Sequence, residues 1–520
     1  MNIIRTRFPP EPNGYLHMGH IKSMYYNFGY PFDDNVNKEC FLRFDDTNPK
    51  TETMEYENQI RSDLEWMGYK PDKISNTSDY FEQIYNFTIE LIEKGIAYVD
   101  LLSHDEMRRI RHANSVTGEE SPYRNNTIEF NLKEFKNMKL GVYKEGEACL
   151  RLLIPKEDRT NDCMIDPIAY RIIDSVEHYK TGNKWIIYPS YEYSHYIVDS
   201  LEGITHSFCT LEFYVRRPLS YWICDKIGIK PPIIVETNRL DTDFGTLSKR
   251  RIKALLDQGD IDGWDDPRLL TISALKNKGI TPEILKDFCA ELAYSNNANA
   301  VVPYHKFESV IRNNLNTCAP RRMFVENPLK ITILNYTDNL YRVSKPLYPQ
   351  NKDSSKNFDT SFNRILYIDR GDFKTEGVNK KYKRFSPNRV VRVKYGGLIK
   401  YINHDINSEG DVVNINVEHF PENTISDKVW GTIHWVSYPD KETMTQHEHS
   451  LISYNYPDET NKQGSKSVSN IYLDHDLDGV FSKYNSINYQ MERLGYYNYN
   501  KSTNDLTYLC SLKESNNKNV

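Results

Sequence analysis

No Cys-x-x-Cys pair occurs in the chain, and its eight cysteines (Cys40, Cys149, Cys163, Cys209, Cys224, Cys289, Cys318 and Cys510) stand far apart. That scatter argues against a zinc ribbon or a disulfide framework and fits reduced thiols. No run approaches the roughly 18 apolar residues that a membrane span needs. The start carries no charged-then-apolar signal segment, so a cytoplasmic protein without a membrane partner is expected. Charge of neither sign dominates. A net charge of −6 neither demands nor forbids a nucleic-acid partner, because local patches decide that. No internal repeat stands out. What remains is an ordinary globular composition, 39% hydrophobic and 27% charged, over 520 residues. Such a length suits several domains of about 100–200 residues each.

Residues 6–23, TRFPPEPNGYLHMGHIKS, depart from that ordinary pattern. Ile3 and Ile4 open a short strand; Pro9, Pro10 and Pro12 then prevent both a central strand and a long helix, so the chain must turn. Asn13-Gly14 completes the turn, since glycine accepts backbone conformations closed to other residues. From about Leu16, the spacing of Leu16, Gly19, His20, Ser23 and Met24 predicts a closely packed helix. His17 and His20 share one face of its first turn. A strand, a tight turn and a helix N-terminus form an anion site, because unpaired N–H groups and the positive end of the dipole point outward there. Two imidazoles add donors that can follow charge developing on a phosphate. The same pair could be half a metal site, or one ring could simply be buried and hydrogen-bonded. No second His/Cys pair lies at zinc-like spacing, so no metal site is expected.

Residues 40–44 (CFLRF) read as a second strand ending at Asp45-Asp46, where open α/β sheets place ligand contacts. Helical patterns follow over 51–67 and 78–94, Gly95 stops the second, and 97–101 reads as a strand. The alternation predicts a doubly wound nucleotide-binding sheet. Polar helices and short strands over 102–184 read as an α+β insertion, after which the sheet resumes with WIIYPSYEYSHYIVDSLEG, a helix over 215–227 and PIIVETNRL. Helices dominate from 249 to about 327, and from 330 short β-like runs alternate with turns, which predicts one or two barrels.

Thr246-Leu247-Ser248-Lys249-Arg250 is the second candidate for chemistry. Alone it would be a solvated basic turn. Taken with residues 6–23, ETNRL and GWDDPRLLTISAL, it resembles the paired signatures of class I aminoacyl-tRNA synthetases, in the form carried by glutaminyl- and glutamyl-tRNA synthetases. The resemblance runs from Arg5 to the last barrel. It implies an α/β, Rossmann-type catalytic domain split over 1–101 and 185–245, with an acceptor-end-binding insertion at 102–184. It further implies a signature loop and helical stem-contact domain at 246–329 and two anticodon-binding β-barrels at 330–520. By the same resemblance, His17, His20 and Lys249 are catalytic and hold ATP, as its Mg²⁺ complex, while an amino-acid carboxylate attacks the α-phosphate. Glu11, Pro12, Asn13, Met18, Gly19, Ile21, Lys22, Ser23, Thr210, Arg239, Leu240, Leu247 and Ser248 fall at nucleotide-binding positions. A 2′-OH of the terminal tRNA adenosine then takes the aminoacyl group. The resemblance also implies a monomer.

Which amino acid enters is decided by few positions. Eukaryotic-type glutamate enzymes carry an arginine in a THxLRTTE-like segment; here THSFCTLEF puts Cys209 in its place. A buried carboxylate without that partner would cost on the order of 3–5 kcal/mol, and a neutral amide would not. Asn13, where the sister enzymes often carry serine, points the same way. The expected substrates are therefore L-glutamine and tRNA(Gln); the resemblance implies Arg7 on the carboxylate, Asp45 on the ammonium, Tyr191 on the side-chain amide and His195 beside them. The rivals are a glutamate-charging enzyme, in which Cys209 is merely a small buried residue, and a tRNA-binding paralogue without catalysis. Ile234 departs from a common family glutamine.

For tRNA, TCAPRRMF (317–324) resembles a tRNA-contacting segment and offers Arg321. Residues 370–400 hold ten Lys/Arg against two acids, interleaved with Tyr382, Phe385 and Tyr395. That mixture suits backbone neutralisation plus stacking of splayed bases, although a charge run is often only a solvated barrel face. Lys381, Lys383 and Arg384 in KKYKR, Arg392 beyond it, and Gln490 and Arg493 in NYQMERLGY are the candidate anticodon contacts. Lys381 stands for a family glutamine, and Val215 for an acid that bacterial members aim at the acceptor stem.

Overall fold

The computed structural model describes residues 3–513 except 32, 34, 118, 294–300, 338–340, 353, 423, 425, 447, 457–464 and 474–485. Phe8, Leu42 and Phe44 are buried along two parallel strands, β1 (Ile4–Phe8) and β2 (Lys38–Phe44), with helix α1 (Met18–Gly29) crossing between them. Helix α2 (Met54–Trp66) leads to β3 (Lys73–Asn76), parallel to β2.

Helix α3 (Phe81–Glu93) ends before Gly95, and β4 (Ala97–Asp100) follows. After α4 (His104–Thr117) and α5 (Ile128–Lys139), β5 (Cys149–Leu152), β6 (Ile168–Ile172) and β7 (Ile187–Pro189) complete a four-stranded antiparallel sheet with β4. The pairing therefore differs from the sequence reading at both margins of the insertion. β4, read as part of the nucleotide sheet, pairs antiparallel with β5, and β7, read as its resumption, pairs antiparallel with β6. Both strands are buried at every residue, so neither shows the alternation that would reveal its sheet.

Helix α6 (Tyr191–Leu201) returns the chain to β8 (His206–Thr210), and α7 (Arg217–Ile227) leads to β9 (Ile233–Thr237), parallel to β8. Beside β8, the Thr205 N–H donates to the Arg5 carbonyl at 2.9 Å, which sets β8 against β1. The spatial order is thus β3-β2-β1-β8-β9, and its direction reverses between β1 and β8. In open α/β sheets, ligands bind in the crevice beyond the carboxyl ends at such a point.

Strand β10 (Asp241–Thr242) precedes α8 (Lys249–Asp257), α9 (Ile272–Lys278) and α10 (Pro282–Ala293); β11 (Val301–Val302) pairs with β10, and α11 (Tyr304–Cys318) ends the helical region. Beyond it lie a six-stranded sheet, from Pro328–Ile333 to Val429–Ile433, and a seven-stranded one. In the latter, Arg321–Arg322 pairs with Ser486–Met491 at one edge and Phe324–Val325 with Ser465–Leu473 at the other. One short segment, the TCAPRRMF stretch, therefore bridges both edges and closes a barrel, which removes unpaired edges. Among the described residues no helix is long and apolar enough to cross a membrane.

Candidate active site and nucleic-acid interface

His17 is the N-cap of α1: its backbone is extended (φ −130°, ψ 176°) and its Nδ1 accepts from the Gly19 N–H at 3.1 Å. His20 Nδ1 accepts in turn from the His17 N–H at 3.1 Å. Both δ nitrogens are acceptors, so each neutral ring carries its proton on Nε2, free to donate outward. The rings lie 4.0 Å apart. Burial, with Lys249 and Arg239 nearby, pushes His17 down to about 3, and burial with His17 alongside holds His20 well below the ordinary imidazole range. The small residue between them has a steric cause: a Cβ at Gly19 would sit 3.0 Å from His17 Cε1.

Lys249, at the start of α8, reaches the same turn. Its Nζ donates to Asn13 Oδ1 at 2.6 Å and approaches the Glu11 carbonyl at 3.5 Å, while Asn13 Nδ2 donates to Glu11 Oε2 at 2.6 Å. A Cβ at Gly14 would meet Lys249 Cδ at 3.3 Å and Trp264 at 3.2 Å, so only glycine lets the lysine pass so close. Burial lowers Lys249 to about 8 against the pull of Glu11 and Glu52. Backbone bonds from Met18 N to the Leu270 carbonyl (3.0 Å) and from Ile272 N to the Leu16 carbonyl (2.8 Å) tie the helical region to this turn. The structure thus brings together Glu11, Asn13, His17, His20 and Lys249.

The remaining nucleotide candidates divide. Arg239 Nη1 pairs with Glu212 Oε1 at 2.7 Å on the exposed side, Thr210 Oγ1 is buried without a hydrogen-bond partner among the described residues, and Ser248 caps α8 by accepting from the Arg251 N–H. The Pro12 carbonyl accepts from Thr53 N at 3.0 Å, Leu240 is buried and Leu247 packs on the core. The side chains of Met18 and Ile21 lie in the core, Lys22 Nζ donates to the Asn238 carbonyl at 2.7 Å, and the Ser23 hydroxyl accepts from Asn27. Those four support the helix with their side chains.

Between β1, β2, β8 and helix α6 lies a buried polar network. Arg7 is fully enclosed: Nε and Nη2 donate to Asp199 at 3.0 and 3.2 Å, Nη2 also meets His195 Nε2 and Ser207 Oγ at 2.5 Å, and Nη1 donates to the Phe208 carbonyl at 3.1 Å. Arg7, expected on the substrate carboxylate, is bonded here to Asp199, His195 and Ser207. His195 Nδ1 donates to Asp45 Oδ2 at 2.9 Å, and Thr77 donates to Asp45 Oδ1 at 2.7 Å. Burial alone would raise Asp45, but His195 and Arg43 outweigh it and hold the carboxyl below its usual value. Tyr191 lies over His195 with ring centroids 4.6 Å apart. Sequence reasoning missed Arg43, Asp199 and Glu202, although Arg43 Nη1 joins the two carboxylates at 2.7 and 3.3 Å. Charged residues inside the apolar runs CFLRF and YIVDSLEG were the available signal.

Cys209 faces Glu236 in the β8–β9 register, and burial, with Glu236 beside it, raises the thiol to about 11. Arg217 is bonded to Glu236 and donates to the Ile234 carbonyl at 3.3 Å. Ile234 itself is buried.

At the far end of the chain, Arg321 and Gln490 are register partners, and Gln490 is buried, its Oε1 without a hydrogen-bond partner among the described residues. Arg493 follows in the next turn and, with Arg384, bonds Asp372. Lys381 and Lys383 are exposed, and Arg392 is held by Glu422 at 2.6 and 3.2 Å. Arg384 and Arg493 therefore meet at Asp372 between the two sheets, Arg321 and Gln490 pair within the barrel, and Arg392 stands in its own ion pair.

Comparison with known proteins gives a consistent result. The family model for the catalytic domain of class I (E and Q) tRNA synthetases matches residues 3–317, and that for their anticodon-binding domain matches residues 319–419. A glutamine–tRNA ligase of Proteus mirabilis is 42% identical over 447 residues, covering 84% of this chain and 79% of its own. One from Hamiltonella defensa is also 42% identical, over 448 residues, covering 84% and 80%. Among solved structures, a glutamate-tRNA synthetase of Elizabethkingia anophelis aligns at 21% identity with a TM-score of 0.45, over 61% of this chain and 72% of that one.

Proposed function

The chain belongs to the class I tRNA synthetases of the glutamate and glutamine type, and on that premise we infer that it catalyses the glutamine–tRNA ligase reaction. The observation that carries the reading of the chemistry is the convergence of two Nε2–H imidazoles and the Lys249 ammonium on one turn at a helix N-terminus. In the first step the glutamine carboxylate attacks the α-phosphorus of ATP and pyrophosphate leaves. Charge builds on phosphate oxygens, so fixed donors in a half-buried site lower the barrier without a covalent nucleophile. His17, His20 and Lys249 supply them, and the magnesium of the ATP complex neutralises the leaving pyrophosphate. In the second step the 2′-OH of the terminal adenosine of tRNA(Gln) attacks the adenylate carbonyl and AMP leaves.

Asp45, with His195 and Thr77 already on it, retains acceptor capacity on Oδ2 for the substrate ammonium. Tyr191, whose hydroxyl takes no hydrogen-bond partner among the described residues, suits the side-chain amide. Arg7 meets the carboxylate only by yielding its bond to His195 or Ser207, so its standing role is to fix His195. A neutral side chain fits the pocket because both cations near Cys209 are already paired, Arg217 with Glu236 and Arg7 with Asp199.

Aminoacylation of purified tRNA with glutamine and glutamate in parallel tests the reading. Strong preference for glutamine is expected. Preference for glutamate would overturn the substrate, and absence of ATP–pyrophosphate exchange at saturating tRNA would overturn the chemistry.

A further inference from the structure

Asp372 lies between two arginines that come from two different sheets. It closes the short turn Arg370–Asp372 of the six-stranded sheet, and its side chain is wholly inaccessible to solvent. Its Oδ1 accepts from Arg384, in the loop that leads to Val390–Val393 of the same sheet, and from Arg493 Nη2 at 2.9 Å, and its Oδ2 accepts from Arg493 Nη1 at 2.8 Å. Arg493 belongs to the seven-stranded barrel, in the turn between Ser486–Met491 and Gly495–Asn500, where its φ is +76°. One buried carboxylate thus serves two guanidinium groups, which leaves the knot one positive charge in excess. The outer parts of both side chains remain open, at 42% for Arg384 and 34% for Arg493. The preceding residue makes the mirrored contact: Glu492 accepts from Lys394 and, at 3.1 Å, meets His434, both in the six-stranded region. Adjacent residues of one turn therefore grip opposite charges across the junction.

We propose that Asp372 is a positioning residue for tRNA recognition, holding Arg384 and Arg493 side by side as a preformed pair of guanidiniums for the anticodon loop. Two long side chains are ordered before the nucleic acid arrives, and their mutual repulsion is offset by one carboxylate that the nucleic acid never has to displace. The inference rests on the reading that these two arginines contact tRNA, so its test separates the two.

Full-length D372N, R384A and R493A are compared with D427N, which breaks an exposed 2.9 Å ion pair with Lys400 on the same sheet. Aminoacylation is measured with native tRNA and with tRNA carrying a substituted anticodon. D372N is expected to raise the KM for tRNA about tenfold, to change kcat less than about twofold, and to cut the preference for the native anticodon about tenfold; D427N leaves all three unchanged. If D372N does not unfold cooperatively, R493K replaces it: it keeps the charge, loses the two-bond fork, and is expected to lose the same preference. Unchanged preference in D372N, with or without a lower Tm, overturns the positioning role while R384A and R493A still raise the KM. If those two variants leave the KM for tRNA unchanged, the reading of the arginines fails and takes the inference with it.

Discussion

Replacing Gly19 by alanine sets two effects against each other. Alanine is up to about 1 kcal/mol better than glycine in a helix. The added Cβ, however, would lie 3.0 Å from the His17 ring that caps the helix and points Nε2 toward the anion site. G19A is expected to keep or raise Tm while ATP–pyrophosphate exchange falls about tenfold or more; a parallel fall of both would reduce Gly19 to a folding role. Lys249 tests the same site by charge. K249A should lower exchange by about 10²–10³ and leave tRNA affinity nearly unchanged, because the lysine amine bonds Glu11 and Asn13 of the signature turn. Burial holds Lys249 at about 8 in the free protein, and a triphosphate would raise it. ATP binding near pH 8 therefore takes up a proton, and ATP affinity falls as pH rises through that value. Calorimetry in two buffers of different ionisation enthalpy counts the proton, and K249A should abolish it.

At the scale of elements, what is legible in the sequence is whatever depends on near neighbours. Three prolines, a glycine and a His-x-Gly-His spacing dictate a turn and a capped helix whatever surrounds them, and residues 6–23 fold accordingly. Strands β4 and β7 are another matter: AYVD and IYP are short and buried throughout, so nothing in them tells a parallel partner from an antiparallel one. The Arg7–Asp199 and Arg493–Asp372 bonds join residues 192 and 121 positions apart, and no local pattern announces such pairs. Pairing also ranks the basic residues of 370–400, which look alike in sequence. Lys383 is exposed, whereas the charge of Arg392 is already met by Glu422. K383A should weaken tRNA binding and reduce the slope of log K against log salt by about 0.7–0.9. R392A should change that slope less, because Glu422 already neutralises this arginine and leaves less charge to offset a phosphate. Filter binding across a salt series distinguishes the two, and equal slopes would show that both lysine and arginine face phosphate.

The whole molecule is not divided where its sheets are. Tyr496, Leu509 and Cys510 of the seven-stranded barrel share one buried cluster with Leu16 and Met18 of the signature turn and helix and with Leu270, Phe288 and Phe307 of the helical region. Polar bonds follow the same seam: Arg312 Nε donates to the Ser511 carbonyl at 2.8 Å, and Asn488 Nδ2 to the Gly279 carbonyl at 3.0 Å. Gly279 itself has φ +97°, and a Cβ there would collide with Asn498 at 2.2 Å, so the barrel is pressed against the end of α9. The six-stranded sheet has a cluster of its own around Ile331, Val391 and Trp435, and meets the barrel in a smaller one, where Val325 lies with Tyr367 and Val436. Cooperative unfolding follows shared apolar burial, so the near barrel should melt with the helical region and the signature helix, and the far sheet separately. Leu509→Ala removes a fully packed side chain and should cost about 2–5 kcal/mol, lowering the larger calorimetric transition and, with it, the temperature at which ATP–pyrophosphate exchange is lost. Val391→Ala should shift only the other transition and leave exchange unaffected by heating up to the first. If L509A moved the smaller transition instead, the catalytic helix and the near barrel would be separate units, and any influence of anticodon binding on the active site would need a route other than this common core.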